Sequence, residues 1–150
     1  MLEPSENLSA LGWPSAEREA AFANWLDGLK TRHQLLVQSL RPASSDASFR
    51  RYLRIDSAGA SAASLIVMDA PPPQEDVRPF VAIAAQLERA GLNAPRVLAQ
   101  DVDLGFLLLS DLGSTLYLQA LGDAAGRNDM AEVDRLMRQA SASLIDWQKG

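Results

Sequence analysis

The residues best supplied for chemistry are Ser44-Ser45-Asp46-Ala47-Ser48, followed almost at once by Arg50 and Arg51. Small and hydroxyl-bearing residues let a tight turn expose its backbone amides, and successive N–H groups facing one way form a nest that attracts an anion. A guanidinium beside such a nest adds a planar, two-pronged donor matched to phosphate or carboxylate. The chemistry implied is capture and neutralisation of an anion, with the serines, Ala47 and backbone amides in the turn and Arg50 or Arg51 behind it. The alternative is a solvated turn leading into an edge strand whose arginines face water, a common use of these residues.

Other constellations are excluded. His33 is the only histidine and there are no cysteines, so multi-histidine metal sites, thiolate sites, disulfides and cysteine nucleophiles are ruled out. No Gly-Xaa-Ser-Xaa-Gly elbow and no lysine-bearing Walker loop occurs. His33, followed by Gln34 and Leu35, reads as a structural residue at a helix end. A formal net charge of -5 leaves little overall attraction for a phosphate backbone, so nucleic acid is not an expected partner. The first residues lack a basic stretch followed by an apolar run, and no apolar run approaches the roughly 20 residues that span a bilayer. No membrane partner is expected, and the cytoplasm is the expected location.

The elements that must position the turn follow from apolar spacing. Phe22, Trp25, Leu26 and Leu29 fall on one helical face behind Ser15, a natural N-cap. Phe49 to Ile55 and Leu65 to Met68 read as strands, the second closed by Pro71-Pro72-Pro73, and together as an antiparallel hairpin. Phe80, Ile83, Ala84 and Leu87 repeat the helical spacing between Pro79 and Gly91. Arg96 to Ala99 and Phe106 to Leu109 form a second hairpin around the reversal Asp101-Val102-Asp103-Leu104-Gly105. Past Gly113 the pattern is helical, with Val133, Leu136, Met137, Ala140, Leu144 and Trp147 in one stripe. Strands and helices are segregated, which predicts an α+β fold rather than a doubly wound parallel sheet. The expected division is 1–40 as an N-terminal helical segment, 41–109 as a small lobe, 110–113 as a hinge, and 114–150 as the incomplete start of a helical lobe.

Four segments in this order resemble the aminoglycoside phosphotransferase family of the protein-kinase-like fold, and more narrowly its bacterial anomeric kinases of N-acetylmuramate and N-acetylglucosamine in cell-wall recycling. They are Ser44 to Tyr52, Val67-Met68-Asp69-Ala70-Pro71-Pro72-Pro73, Leu87 to Pro95, and Gly105 to Gly113. The resemblance implies a small nucleotide-binding lobe (antiparallel sheet plus one packed helix), a hinge, and the first helices of the large lobe. It implies ATP with magnesium as cofactors and an amino sugar as acceptor. Asp46, Ser48, Arg50 and Arg51 would bracket the phosphates, and the Ser110 carbonyl and Leu112 amide would pair with the adenine edge.

The sequence also departs from the wider kinase pattern. The strand lysine expected near Met68 and its partner glutamate expected near Phe80 are both absent, which moves the positive charge to Arg50 or Arg51 or else marks degraded nucleotide binding. Asp103-Leu104-Gly105 and Asp111-Leu112-Gly113 mimic the metal-binding Asp-Phe-Gly of kinases, but they precede any catalytic loop and read as turn and hinge. No His-Gly-Asp loop follows, so no catalytic residue or magnesium ligand is assigned and residues 1–150 alone are expected to transfer no phosphate. The alternatives are a non-catalytic nucleotide- or protein-binding module on the same scaffold and, third, a helical interaction domain. With nothing in this chain to cover the stripe over 130–148, self-association through it is expected.

Overall fold

The computed structural model of the protein describes residues 8–45, 49–59 and 63–149. Ser15 caps a long helix, its hydroxyl accepting the Arg18 N–H at 3.2 Å. Helix α1 runs Ala16–His33, buries Phe22 and Leu26, and ends where Gln34 turns left-handed and donates back to the Lys30 and Thr31 carbonyls. Five strands follow: β1 (Leu35–Ser45), β2 (Arg51–Ser57), β3 (Ser64–Asp69), β4 (Val97–Asp101) and β5 (Phe106–Ser110). Helix α2 (Arg78–Arg89) lies between β3 and β4. The sheet is antiparallel throughout in the order β1-β2-β3-β5-β4. This is the α+β arrangement of a kinase-like N-terminal lobe, as the segregated pattern predicts, and both expected hairpins form.

Strand β1 corrects the sequence reading. Residues 35–40 belong to the sheet rather than to an N-terminal helical segment. Their periodicity is blurred because β1 pairs with β2 through two register shifts, between Leu36 and Arg41 and between Pro42 and Ser44. Pro42 donates nothing to the ladder and is tolerated because β1 is an edge strand.

The chain divides into two compact units. The first, Met1–Ile83 with Pro95–Asp111, carries the sheet. Leu53, Ile55, Leu65, Val67, Phe106 and Leu108 face one way and pack with Phe22 and Leu26 of α1. The alternate residues Ile66, Met68, Leu107 and Leu109 face the other way and pack with Tyr52, Val77, Phe80 and Val81. Alternation of side chains along each strand thus yields two cores on opposite sides of one sheet. Trp13 and Trp25 pack against the α1 side, where Phe22 meets Phe106 edge to face at 5.4 Å. The β4–β5 reversal closes on Gly105, whose φ of +72° suits glycine and whose missing side chain leaves room for the Ala70 carbonyl.

The second unit, Ala84–Ala94 with Leu112–Gly150, is helical. Gly91, at φ +74°, ends α2: its N–H reaches the Glu88 carbonyl and that of Leu92 reaches Leu87, a Schellman closure. Helices α3 (Tyr117–Gly126) and α4 (Met130–Lys149) pack through Ala124 and Leu136, and the Tyr117 hydroxyl donates to the Leu136 carbonyl. Of the predicted stripe only Leu136 is buried; Met137, Leu144 and Trp147 stay about half exposed. Among the described residues no helix is long and apolar enough to cross a membrane.

Candidate functional site

Of the predicted anion-binding stretch, Ser44 and Ser45 end β1 and Arg51 opens β2, with Ser45 and Arg51 Cα partners in the β1–β2 ladder. Asp46 and Ser48 lie outside the described residues. Arg50 and Arg51 are described, and the structure sends them to different partners. Arg50 donates through Nε to Glu75 at 2.8 Å. That bond, opposed by partial burial and joined by one to Tyr52, makes the guanidinium hold its proton more tightly than usual. Arg50 thus belongs to the Tyr52 side of the sheet.

Arg51 belongs to the α1 side, where it faces Asp69 directly across the β2–β3 pair. Its Nε and Nη2 donate to Asp69 Oδ2 at 3.0 and 2.5 Å. The other carboxylate oxygen, Oδ1, accepts Nε and Nη2 of Arg18 from α1 at 3.1 and 2.5 Å. Asp69 is only 1% exposed, so each oxygen trades water for one guanidinium. Both arginines stack on aromatic faces, Arg18 4.0 Å from the Phe106 ring centroid and Arg51 4.1 Å from that of Trp13. Arg51 Nη1 also donates to the carbonyls of Leu11 and Gly12. Two neighbouring arginines read as interchangeable in the sequence are therefore distinct: Arg51 is committed to the buried Asp69 carboxylate, and Arg50 is held by Glu75.

Where a kinase lysine is expected, Met68 is fully buried in the apolar core of the α2 side, and Phe80 packs against that same core. Ser110 ends β5 with its N–H on the Arg96 carbonyl at 2.9 Å and its hydroxyl accepting the Arg96 N–H at 2.8 Å. Asp111 takes the Arg54 guanidinium through Nε at 2.6 Å and Nη2 at 3.0 Å, and the Ser64 hydroxyl at 2.7 Å. Its carboxylate, 6% exposed, is thus tied to β2 and β3, and the pairing raises the hold of Arg54 on its proton. Leu112 is exposed at the start of the helical unit.

Asp103-Leu104-Gly105 takes the turn role expected of it, between β4 and β5. At this reversal the Asp101 carboxylate accepts the Leu104 N–H at 2.9 Å. Among the described residues no three His, Cys, Asp or Glu converge as metal ligands. His33 is half-buried at the end of α1; burial, with the neighbouring Arg32 charge, lowers its pKa, and Nε2 has no partner among the described residues. Sequence reasoning missed the Arg18–Asp69–Arg51 cluster and the Arg54–Asp111 pair. A carboxylate closing the apolar run Leu65 to Met68 is a signal that a partner must exist. Its identity has no local mark, because Arg18 is 51 residues away.

Comparison with known proteins follows the same lines. Over 110 residues the chain is 53% identical to the N-acetylmuramate/N-acetylglucosamine kinase of Pseudomonas aeruginosa, covering 73% of this chain and 30% of that protein. It is 46% identical over 111 residues to the protein of the same name from Pseudomonas putida, covering 74% and 30%. The kinase of that name from Neisseria meningitidis serogroup B is 33% identical over 133 residues, covering 89% and 37%. The chain therefore spans 30 to 37% of the length of these curated relatives. Residues 39–149 match the model of the phosphotransferase enzyme family, from within β1 to the end of α4, and the chain belongs to that family.

Proposed function

We propose that this chain is the nucleotide-binding, N-terminal part of an ATP-dependent sugar kinase whose acceptor is the anomeric hydroxyl of N-acetylmuramate or N-acetylglucosamine, a cytoplasmic step of peptidoglycan recycling. The observation that supports the reading is the β1–β2 hairpin: β1 ends and β2 begins at the Ser45–Arg51 pair, and the Arg51–Asp69–Phe106 register sets that junction at the opposite end of the sheet from Ser110, as a nucleotide spanning phosphates to adenine requires. The names of the relatives supply the sugar.

In this reading Asp46, Ser48 and the turn amides meet the phosphates, and Arg50 adds the charge that a lysine at position 68 would otherwise bring. Glu75 holds that guanidinium in place from its Nε side. Arg51 serves the same site by fixing the strand, since its fork is on Asp69. The Ser110 carbonyl and Leu112 amide take the adenine edge. Bound ATP supplies the phosphoryl group, and neutralising its charge is the share of catalysis proposed for these residues. Magnesium is the expected companion of the phosphates, and no residue of this chain is assigned to it.

One observation favours the non-catalytic alternative: the fully buried Met68 leaves no cation on its strand at that point. Calorimetric titration separates the two. Arg50→Ala is expected to weaken ATP by about tenfold or more, because a charge-assisted contact is worth roughly 1.5–3 kcal/mol, and to leave adenosine unaffected. Equal loss for both ligands makes Arg50 structural, and failure of the parent chain to bind ATP at all supports the non-nucleotide module.

A further inference from the structure

We propose that Arg18 and Asp69 are positioning residues for nucleotide phosphate, acting through Arg51 to fix the start of β2 and so the neighbouring Arg50. The inference rests on the reading of Arg50 as a phosphate contact and goes beyond it by bringing α1, which precedes the family-matched residues, into the site. Arg51 opens β2 and is the Cα partner of both Ser45 in β1 and Asp69 in β3. The β1 side of this junction is poorly determined by the ladder, because β1 shifts register twice on the way to it. The β3 side is held by a side chain: Asp69 grips Arg51 with one oxygen and Arg18 with the other.

Stability alone is a weak reason for such a cluster. Burying a carboxylate with two guanidiniums costs desolvation that apolar side chains of similar volume would avoid, and such clusters are best explained where they fix one geometry. Two pairs further along the same two strands, on the same face, Leu53 faces Val67 and packs without charge. The cluster stands where β2 begins at Arg51 and β3 ends at Asp69. Its planar forks, each backed by an aromatic ring, allow one orientation of Arg51 where an apolar contact would allow several.

The test compares Arg18→Ala, Arg18→Lys and Arg50→Ala in ATP and adenosine titrations, with amide hydrogen exchange over residues 50–54. Arg18→Ala is expected to weaken ATP by about tenfold, the scale of one charge-assisted hydrogen bond, to spare adenosine, and to speed exchange at the start of β2. Arg18→Lys keeps the charge without the fork and, as the gentler change, is expected to show the same selective loss to a smaller degree. If Arg50→Ala weakens ATP while both Arg18 variants bind ATP like the parent, the positioning role is overturned and the phosphate reading stands. Parallel loss of ATP and adenosine in the Arg18 variants also overturns it, reducing the cluster to a structural one. An unchanged ATP-to-adenosine ratio in Arg50→Ala removes the phosphate reading and the inference with it.

Discussion

At Gly105 the backbone conformation and the surrounding space make the same demand. Its φ of +72° is already costly for an L-residue, and a Cβ built there would lie 2.0 Å from the Ala70 carbonyl oxygen and 3.0 Å from its carbon. Those are backbone atoms, held in place because the Ala70 N–H donates to the Gly105 carbonyl at 2.9 Å. Gly105→Ala is therefore expected to cost on the order of 3 kcal/mol, combining the left-handed penalty with displacement of a strand end. A urea midpoint showing less than about 1 kcal/mol of loss, the ordinary scale of a point substitution, would contradict this. That a glycine was needed here was legible in the sequence, since Asp101 to Gly105 separates two short apolar runs. What it makes room for was not, because Ala70 is distant in the chain. The same limit applies to Arg50 and Arg51, adjacent letters whose roles part only when the pleat sends them to opposite faces.

Among the elements, those with an unbroken period were readable and those with a broken one were not. Helix α1 showed both its cap and its stripe, β3, β4 and β5 each carried a compact apolar run, and β2 set Tyr52, Leu53 and Ile55 among arginines after a polar stretch. Strand β1 mixes Gln38, Ser39, Arg41 and Pro42 among its apolar residues and is defined by its partner rather than by its own pattern. The end of β5 is also defined by its partners: Asp111 is drawn onto β2 by Arg54 and onto β3 by Ser64. Asp111→Asn keeps the shape and removes the charge, and is expected to cost about 2 kcal/mol, less than the roughly 3–5 kcal/mol of a broken buried pair because Asn still accepts hydrogen bonds. Because the change falls at the proposed adenine end, it should weaken adenosine and ATP alike, unlike Arg50→Ala. Selective loss of ATP in Asp111→Asn would place the Asp111 contacts at the phosphates instead.

For the molecule as a whole, the faces left in water matter most. Met137, Leu144, Ile145 and Trp147 expose about half their surface on α4, and each large apolar side chain so placed forgoes up to about 1.5–3 kcal/mol of burial. The 150-residue protein is expected to self-associate through this helix, and replacing Met137 and Leu144 by Glu should suppress it. Light scattering over a concentration series checks this; a monodisperse 16.2 kDa species at every concentration would refute it. The edges of the sheet determine what kind of association it can be. One border is β1, interrupted by Pro42 and twice out of register, and the other is β4, only five residues long. Neither offers an incoming strand a continuous row of donors and acceptors. Concentrated solutions should therefore cloud with amorphous, helix-rich particles that dissolve on dilution and leave amyloid dyes dark, rather than seed fibres.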